Sequence, residues 1–195
     1  MTSAHQKGFR PEKRGLRGWR FAPATIACML LSGLWSAQPQ DPLHPWGGAG
    51  VNIDTGEKAV IAHNLFVNIR QNYAVQCHLG QASRVVAGRT GLCRNQRVLN
   101  NIFIDCPRRI LFSRREDNIS DGNLFDARDD ATSFCIQHPA PEALQNLGGW
   151  QEHFGLDRHS SQARLEARLD PDRCELMVTA EGDIPQAVDC GLPER

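Results

Sequence analysis

One short stretch of this 195-residue chain gathers a phenol, an imidazole and two guanidiniums: Tyr73, His78, Arg84 and Arg89. Taking a proton from the carbon beside a carboxylate needs a base, and a cation to quench the carboxylate's charge; these side chains can serve as both. A plainer reading stands beside it, with Tyr73 a half-buried rung residue and His78 a loop residue. Asp117, Asp121, Asp126, Asp129 and Asp130 offer other chemistry. Hydrolysis of a glycosidic bond uses two carboxylates about 5–10 Å apart. The same aspartates equally suit a solvated turn. They also suit calcium held by carboxylate and carbonyl oxygens, although no loop has EF-hand spacing.

Other chemistries lack their signatures. Glu152 precedes His153 and His159 stands six positions after His153, so H-E-x-x-H is absent. No G-x-S-x-G, P-loop or dinucleotide fingerprint appears in a usable context. No cysteines stand as C-x-x-C, which removes the zinc-ribbon and thioredoxin-like readings. No metal centre or resident cofactor is expected beyond the calcium option.

The net charge of zero hides an asymmetry. Between Val60 and Arg115 there are nine arginines, no lysine and one acid, Asp105; from Glu116 onward there are seventeen acids and six arginines. The halves can neutralise each other across the fold. Alternatively, arginines such as Arg108, Arg109 and Arg114 meet an anionic ligand, since a guanidinium fork matches a carboxylate or sulfate. The region lacks the interleaved aromatics of a nucleic-acid binder, so no nucleic-acid partner is expected.

The elements that must position these groups come from a repeat. Asn64-Leu65-Phe66 returns as Asn101-Ile102-Phe103 and as Asn123-Leu124-Phe125. Nine residues after each Phe sits another apolar residue, Val75, Phe112 or Phe134. Fixed recurrence marks stacked units that bury their apolar faces against one another. Each unit offers two strand candidates. The first are Val60–Val67, Val98–Ile104 and Ile119–Phe125; the second are Tyr73–Gln76, Arg109–Ser113 and Ser133–Gln137. The spacing of 22 residues from Asn101 to Asn123 suits one turn of a parallel β-helix. The 37 residues from Asn64 to Asn101 leave an excess that the Cys77–Cys93 loop supplies. An inward Asn at one place on every coil can bond to the coils above and below, and the Phe residues stack beside it. Asn64, Asn101 and Asn123 then form a structural ladder, with Phe66, Phe103 and Phe125 as its stack.

After Pro139 the pattern changes. Pro141–Gly155 is the best helix candidate, carrying Leu144, Leu147, Trp150 and Phe154, though Gly148-Gly149 weakens it. Ala163–Leu169 and Glu175–Thr179 alternate as strands around an Asp170-Pro171-Asp172 turn.

These residues carry a resemblance. The N-x-F phrases resemble right-handed parallel β-helix proteins of the pectate-lyase-like type. Trp150, Gly155, Asp157 and Ser160, followed by Asp170-Pro171 and Leu176, look like the carboxy-terminal segment of bacterial members, where W-x(4)-G-x-D-x-x-S precedes an aspartate-proline strand. Gly182-Asp183-Ile184-Pro185 is similar to their closing turn. The resemblance covers about residues 50–195. It implies an all-β right-handed parallel β-helix of three to four coils, with a cap containing a short helix and edge strands. It also implies an acidic polysaccharide as substrate or ligand, and a polysaccharide lyase or glycoside hydrolase if the chain is active. Such proteins usually have ten or more coils, with the active site in a groove along the central ones. This chain looks like the closing end of a longer helix, so a non-catalytic remnant or carbohydrate-binding module is the alternative.

The expected organisation is a leader over 1–37, a Pro/Gly-rich linker over 38–50, coils over 51–138 and a cap over 139–195. Residues 7–20 are basic, an apolar run follows to Trp35, and Ser36-Ala37 are small, the order of a secretory signal peptide. The apolar run is too short for a transmembrane anchor. An unrelated leader reads equally from the awkward Trp35 at the cleavage position. Secreted or periplasmic location follows from the first reading. Loss of Cys28 with the leader leaves six cysteines, with Cys77–Cys93 and Cys174–Cys190 as first guesses for disulfides.

Overall fold

A computed structural model describes residues 17–21, 48–79, 85–86, 89–90, 92–128, 132–173 and 175–181. The leader apart from Arg17–Phe21, most of the linker, Arg84, Asp129, Asp130 and the expected Cys174–Cys190 pair lie outside these residues.

The described chain is a stack of coils built from short parallel strands, a β-helix-like arrangement. Strands are β1 (Arg17–Phe21), β2 (Val51–Asp54), β3 (Val60–Ala62), β4 (Leu65–Val67), β5 (Val75–His78), β6 (Val85–Val86), β7 (Arg89–Thr90) and β8 (Arg97–Leu99). They continue as β9 (Ile102–Ile104), β10 (Ile110–Phe112), β11 (Ile119–Asp121), β12 (Leu124–Asp126), β13 (Phe134–Ile136) and β14 (Ala143–Gln145). The helix α1 (Leu147–Phe154) precedes β15 (Ser161–Asp170) and β16 (Glu175–Glu181). Three sheets run up the stack in the orders β14-β13-β10-β5-β2, β11-β8-β3 and β1-β16-β15-β12-β9-β4. Successive coils pair in parallel, as in Leu65↔Ile102↔Leu124 and Val60↔Arg97↔Ile119.

Each coil has three strands where two were expected. The segment carrying the Asn-x-Phe phrase is broken by a corner just before the Asn, where His63, Asn100 and Gly122 take φ values of 58°, 53° and 65°. Left-handed backbone is cheap for Gly and tolerable for Asn, so the chain turns there instead of running straight. At Gly122 a Cβ would come within 2.2 Å of Asn100 Oδ1, which leaves room for hydrogen only. A matching corner precedes the three-stranded sheet at Lys58, Asn95 and Asp117, with φ of 61°, 57° and 63°.

Register corrects one part of the repeat. Val75 and Phe134 both pair with Ile110, and Phe112 pairs with Cys77 and Ile136. The middle coil is two residues shorter between its Phe and its next strand. A two-residue shift keeps the same face of a strand, so Ile110 and Phe112 are both buried. The phenylalanines stack through the core, Phe66 to Phe103 at 4.9 Å and Phe103 to Phe125 at 5.0 Å between ring centroids.

The cap differs from expectation at its start. Ala143–Gln145 pairs antiparallel with Phe134–Ile136, so strand pairing claims residues expected to be helical. Leu144 is exposed as a result. The helix begins after Asn146, whose Oδ1 accepts from Gly149 N at 2.8 Å, and ends at Gly155 with φ of 65°. Trp150 is fully buried and lies over Phe134 at 5.2 Å and Phe112 at 6.0 Å, sealing the end of the core. β15 and β16 form a hairpin closed by Asp170, whose Oδ1 accepts from Asp172 N and Arg173 N, both at 3.1 Å.

Candidate functional site

The outer face of the five-stranded sheet gathers the titratable groups that the sequence singles out. Val75 and Cys77 of β5 point into the core, so Gln76 and His78 face outward by alternation. Val51 and Ile53 likewise pack on the core and leave Asn52 and Asp54 outside. Asn52 pairs in register with Gln76, and Asp54 with His78. Leu111 and Cys135, in register with Gln76 on the next two strands, form a separate buried cluster with Tyr73.

Tyr73 is not poised as a base. Burial pushes its phenol well above the ordinary range, the neighbouring Cys135 adds to this, and Arg108 offsets it only in part. His78 is buried, with its Nε2 3.0 Å from Asn52 Oδ1. Arg89 lies in β7, which pairs with β6 as a two-stranded ribbon. Tyr73 and His78 therefore share a sheet face, but each is turned to its own neighbours.

The three arginines expected to bind ligand separate. Arg108 is exposed, with its guanidinium carbon 5.9 Å from the centre of the Tyr73 ring. Arg114 is exposed at the other end of β10. Arg109 is interior and only 1% exposed, which corrects its assignment to the surface. Its guanidinium lies 5.2 Å from the Phe125 ring and 5.8 Å from the Phe134 ring, and it donates to Asp126 O. Both arginines lie in the corner before β10, outside its alternating strand, and that corner sends Arg108 to solvent and Arg109 among the core rings.

Among the described residues, Asp117, Asp121 and Asp126 each have their own partners. Asp121 accepts from His159, at 2.8 Å from the backbone N and 2.7 Å from Nδ1. Burial raises its pKa, but the His159 and Gly122 hydrogen bonds outweigh this and leave it lowered. Asp126 is buried, ion-paired to Arg128 at 2.7 Å, and accepts from Asp105 N at 3.3 Å. Asp117 lies 3.9 Å from Arg94. Among the described residues no group of three or more His, Cys, Asp or Glu could hold a metal ion.

The ladder runs through the corners. Asn64 N and Nδ2 reach Asn101 Oδ1 at 3.0 and 3.1 Å. Asn101 N and Nδ2 reach Asn123 Oδ1 at 2.9 and 3.1 Å. Asn123 then hands over to the cap: its N donates to Ser160 Oγ at 2.8 Å and its Nδ2 to Asp157 Oδ1 at 2.7 Å. Asp157 also accepts from Ser160 Oγ at 2.5 Å, from Trp150 Nε1 at 3.0 Å and from Ser120 Oγ. Burial raises the Asp157 pKa, and those four donors only partly oppose the rise.

A second ladder escaped the sequence reading. Ala59 N donates to Gln96 Oε1 at 3.1 Å, and Gln96 N donates to Asn118 Oδ1 at 3.0 Å. Gln and Asn both precede a strand of the three-stranded sheet by one residue, at the spacing of 22 already seen between coils. That common offset was the available signal.

The expected Cys77–Cys93 staple is not formed. Cys77, Cys93, Cys106 and Cys135 are buried free thiols. Cys77 and Cys93 contribute to the core, where burial pushes the Cys93 thiol up to about 11 and raises Cys77 further. Among the described residues no helix is long and apolar enough to cross a membrane.

A scan against protein-family models finds no match, and searches of curated proteins and of solved structures return none.

Proposed function

We propose that this chain is the closing part of a right-handed parallel β-helix of the pectate-lyase-like type, exported from the cytoplasm, which binds an acidic polysaccharide without cleaving it. The observation that carries the reading is the placement of Arg108 and Arg114. Both are exposed, and they flank β10, the central strand of the five-stranded sheet. A guanidinium laid against an aromatic ring keeps its planar fork free for a carboxylate or sulfate.

Binding is favoured over turnover because the candidate bases are occupied. Tyr73 holds its proton, His78 is buried against Asn52, and Asp121 and Asp126 are engaged by His159, Arg128 and backbone amides. Export rests on the basic, apolar and small-residue order of residues 1–37.

The test is incubation of the full chain with polygalacturonate, alginate and a sulfated glycan. Ultraviolet absorbance of unsaturated products and reducing ends would be followed alongside retention on an alginate column. Salt-sensitive retention without products is expected. Products of either kind would replace binding with lyase or hydrolase activity. Absence of both retention and products would remove the glycan reading.

A further inference from the structure

The edge of the six-stranded sheet is occupied by a strand from far away in sequence. β1 pairs antiparallel with β16 through five successive residues, from Arg17↔Ala180 to Phe21↔Leu176. Among the described residues β16 is the one strand that β1 pairs with. The two strands are complementary in charge. β1 reads Arg-Gly-Trp-Arg-Phe, with two cations and no acid, and β16 reads Glu-Leu-Met-Val-Thr-Ala-Glu, with two acids and no base.

β16 does not need β1 to be held in place. Its other edge is paired with β15 over seven residues, and Leu176, Val178 and Ala180 are buried in the second core cluster. The outer edge is therefore a fixed row of backbone donors and acceptors on a rigid strand. An extended peptide adds to such an edge through main-chain hydrogen bonds, and side-chain chemistry selects which peptide.

We propose that the outer edge of β16 is a docking site for a basic extended peptide segment, and that Arg17–Phe21 occupies it as a built-in competitor. A tethered strand has a high effective concentration and shields the edge until it is displaced or removed. The strand is tethered while residues 1–37 remain attached; cleavage within residues 22–47, which removal of an export leader entails, would convert it into an ordinary ligand.

The test uses the full chain and a fluorescent synthetic peptide of its own Gly15–Pro23 sequence. Gly18→Pro with Trp19→Pro removes two consecutive N–H groups, so one that faces β16 is lost whichever way the strand is turned. By anisotropy, this variant should bind the peptide saturably, about tenfold or more tightly than wild type, and less tightly as salt rises. A peptide with both arginines changed to glutamate should not bind. Should circular dichroism show the proline variant misfolded, Arg17→Glu with Arg20→Glu takes its place, with the same ordering expected. Equal binding by variant and wild type, or no binding by a folded variant, would overturn the proposal. Dimerisation of the variant in sedimentation without peptide uptake would overturn it in favour of copy-to-copy edge pairing.

Discussion

Asn123 Nδ2 donates to Asp157 Oδ1 at 2.7 Å, and through that bond the side-chain ladder of the coils passes into the cap. Asn64 and Asn101 each rest on an Asn of the next coil, but Asn123 rests on an aspartate and on Ser160. An amide stack must end somewhere, and its last donors are buried. A carboxylate accepts without needing to donate, so it can terminate the stack and still take the Trp150 indole. The tryptophan that plugs the core and the ladder that lines its corner thus share one anchor.

Removing that anchor strands several buried donors. Asp157→Ala should cost on the order of 3 kcal/mol, since each unsatisfied buried group costs roughly 1–3 kcal/mol. For a chain of this size that lowers Tm by about 10 °C. Differential scanning calorimetry checks it. A loss within a degree or two would mean that the cap is held by Trp150 packing alone.

The same residue gives stability a pH dependence of defined sign. Burial raises the Asp157 pKa in the folded state, so folded protein holds that proton more tightly than unfolded protein does. Its contribution is fully present below the unfolded value of about 3.9 and is lost as pH rises through the higher folded value. The advantage of wild type over Asp157→Asn in Tm should therefore shrink as pH is raised from about 4 toward neutrality. A growing advantage would contradict the raised pKa.

Asp121 works the other way. Its pKa is lowered, with burial opposing the change and the His159 hydrogen bonds outweighing it. Its contribution is present above the ordinary value of 3.8 and is lost as pH falls through the lowered one. His159→Ala should flatten the acid limb of the stability curve relative to wild type, measured by urea midpoints. An unchanged acid limb would place the lowering elsewhere.

Ladder and stack were legible because they repeat: Asn64, Asn101, Asn123 and the three phenylalanines recur at fixed offsets. The corners before the Asn residues were not, because His63 and Asn100 give no turn signal as strong as Gly122 does. Helix α1 was read too long because Ala143–Gln145 suits either state in isolation, and pairing with β13 decides it. Arg109 was read as a ligand contact because composition reports charge and not side. Alternation from the inward Ile110 would turn Arg109 outward, but it sits in the corner before β10, and only its contacts with Phe125, Phe134 and Asp126 O show that it is inside. The Cys77–Cys93 pairing rested on sequence spacing, which carries no information on where two side chains point.

The free thiols give a direct chemical readout. Burial raises the pKa of Cys77, Cys93, Cys106 and Cys135, the last to about 11, so little thiolate is available at neutral pH. Alkylation by iodoacetamide, mapped by mass spectrometry, should spare all four in the native chain and modify all four in denaturant without reductant. Failure of Cys77 and Cys93 to react until reductant is added would restore the disulfide.

The central claim is that the surface around β10 binds acidic glycan through Arg108 and Arg114. Affinity electrophoresis through gels containing polygalacturonate or alginate tests it directly, comparing wild type with Arg108→Ala/Arg114→Ala and with Arg97→Ala as an exposed control on the three-stranded sheet. The account predicts retardation of wild type and of the control, and a loss of about tenfold or more in affinity for the double variant, as expected when two charge-assisted contacts of about 1 kcal/mol each are removed. Equal retardation of all three, or none for wild type, would contradict it.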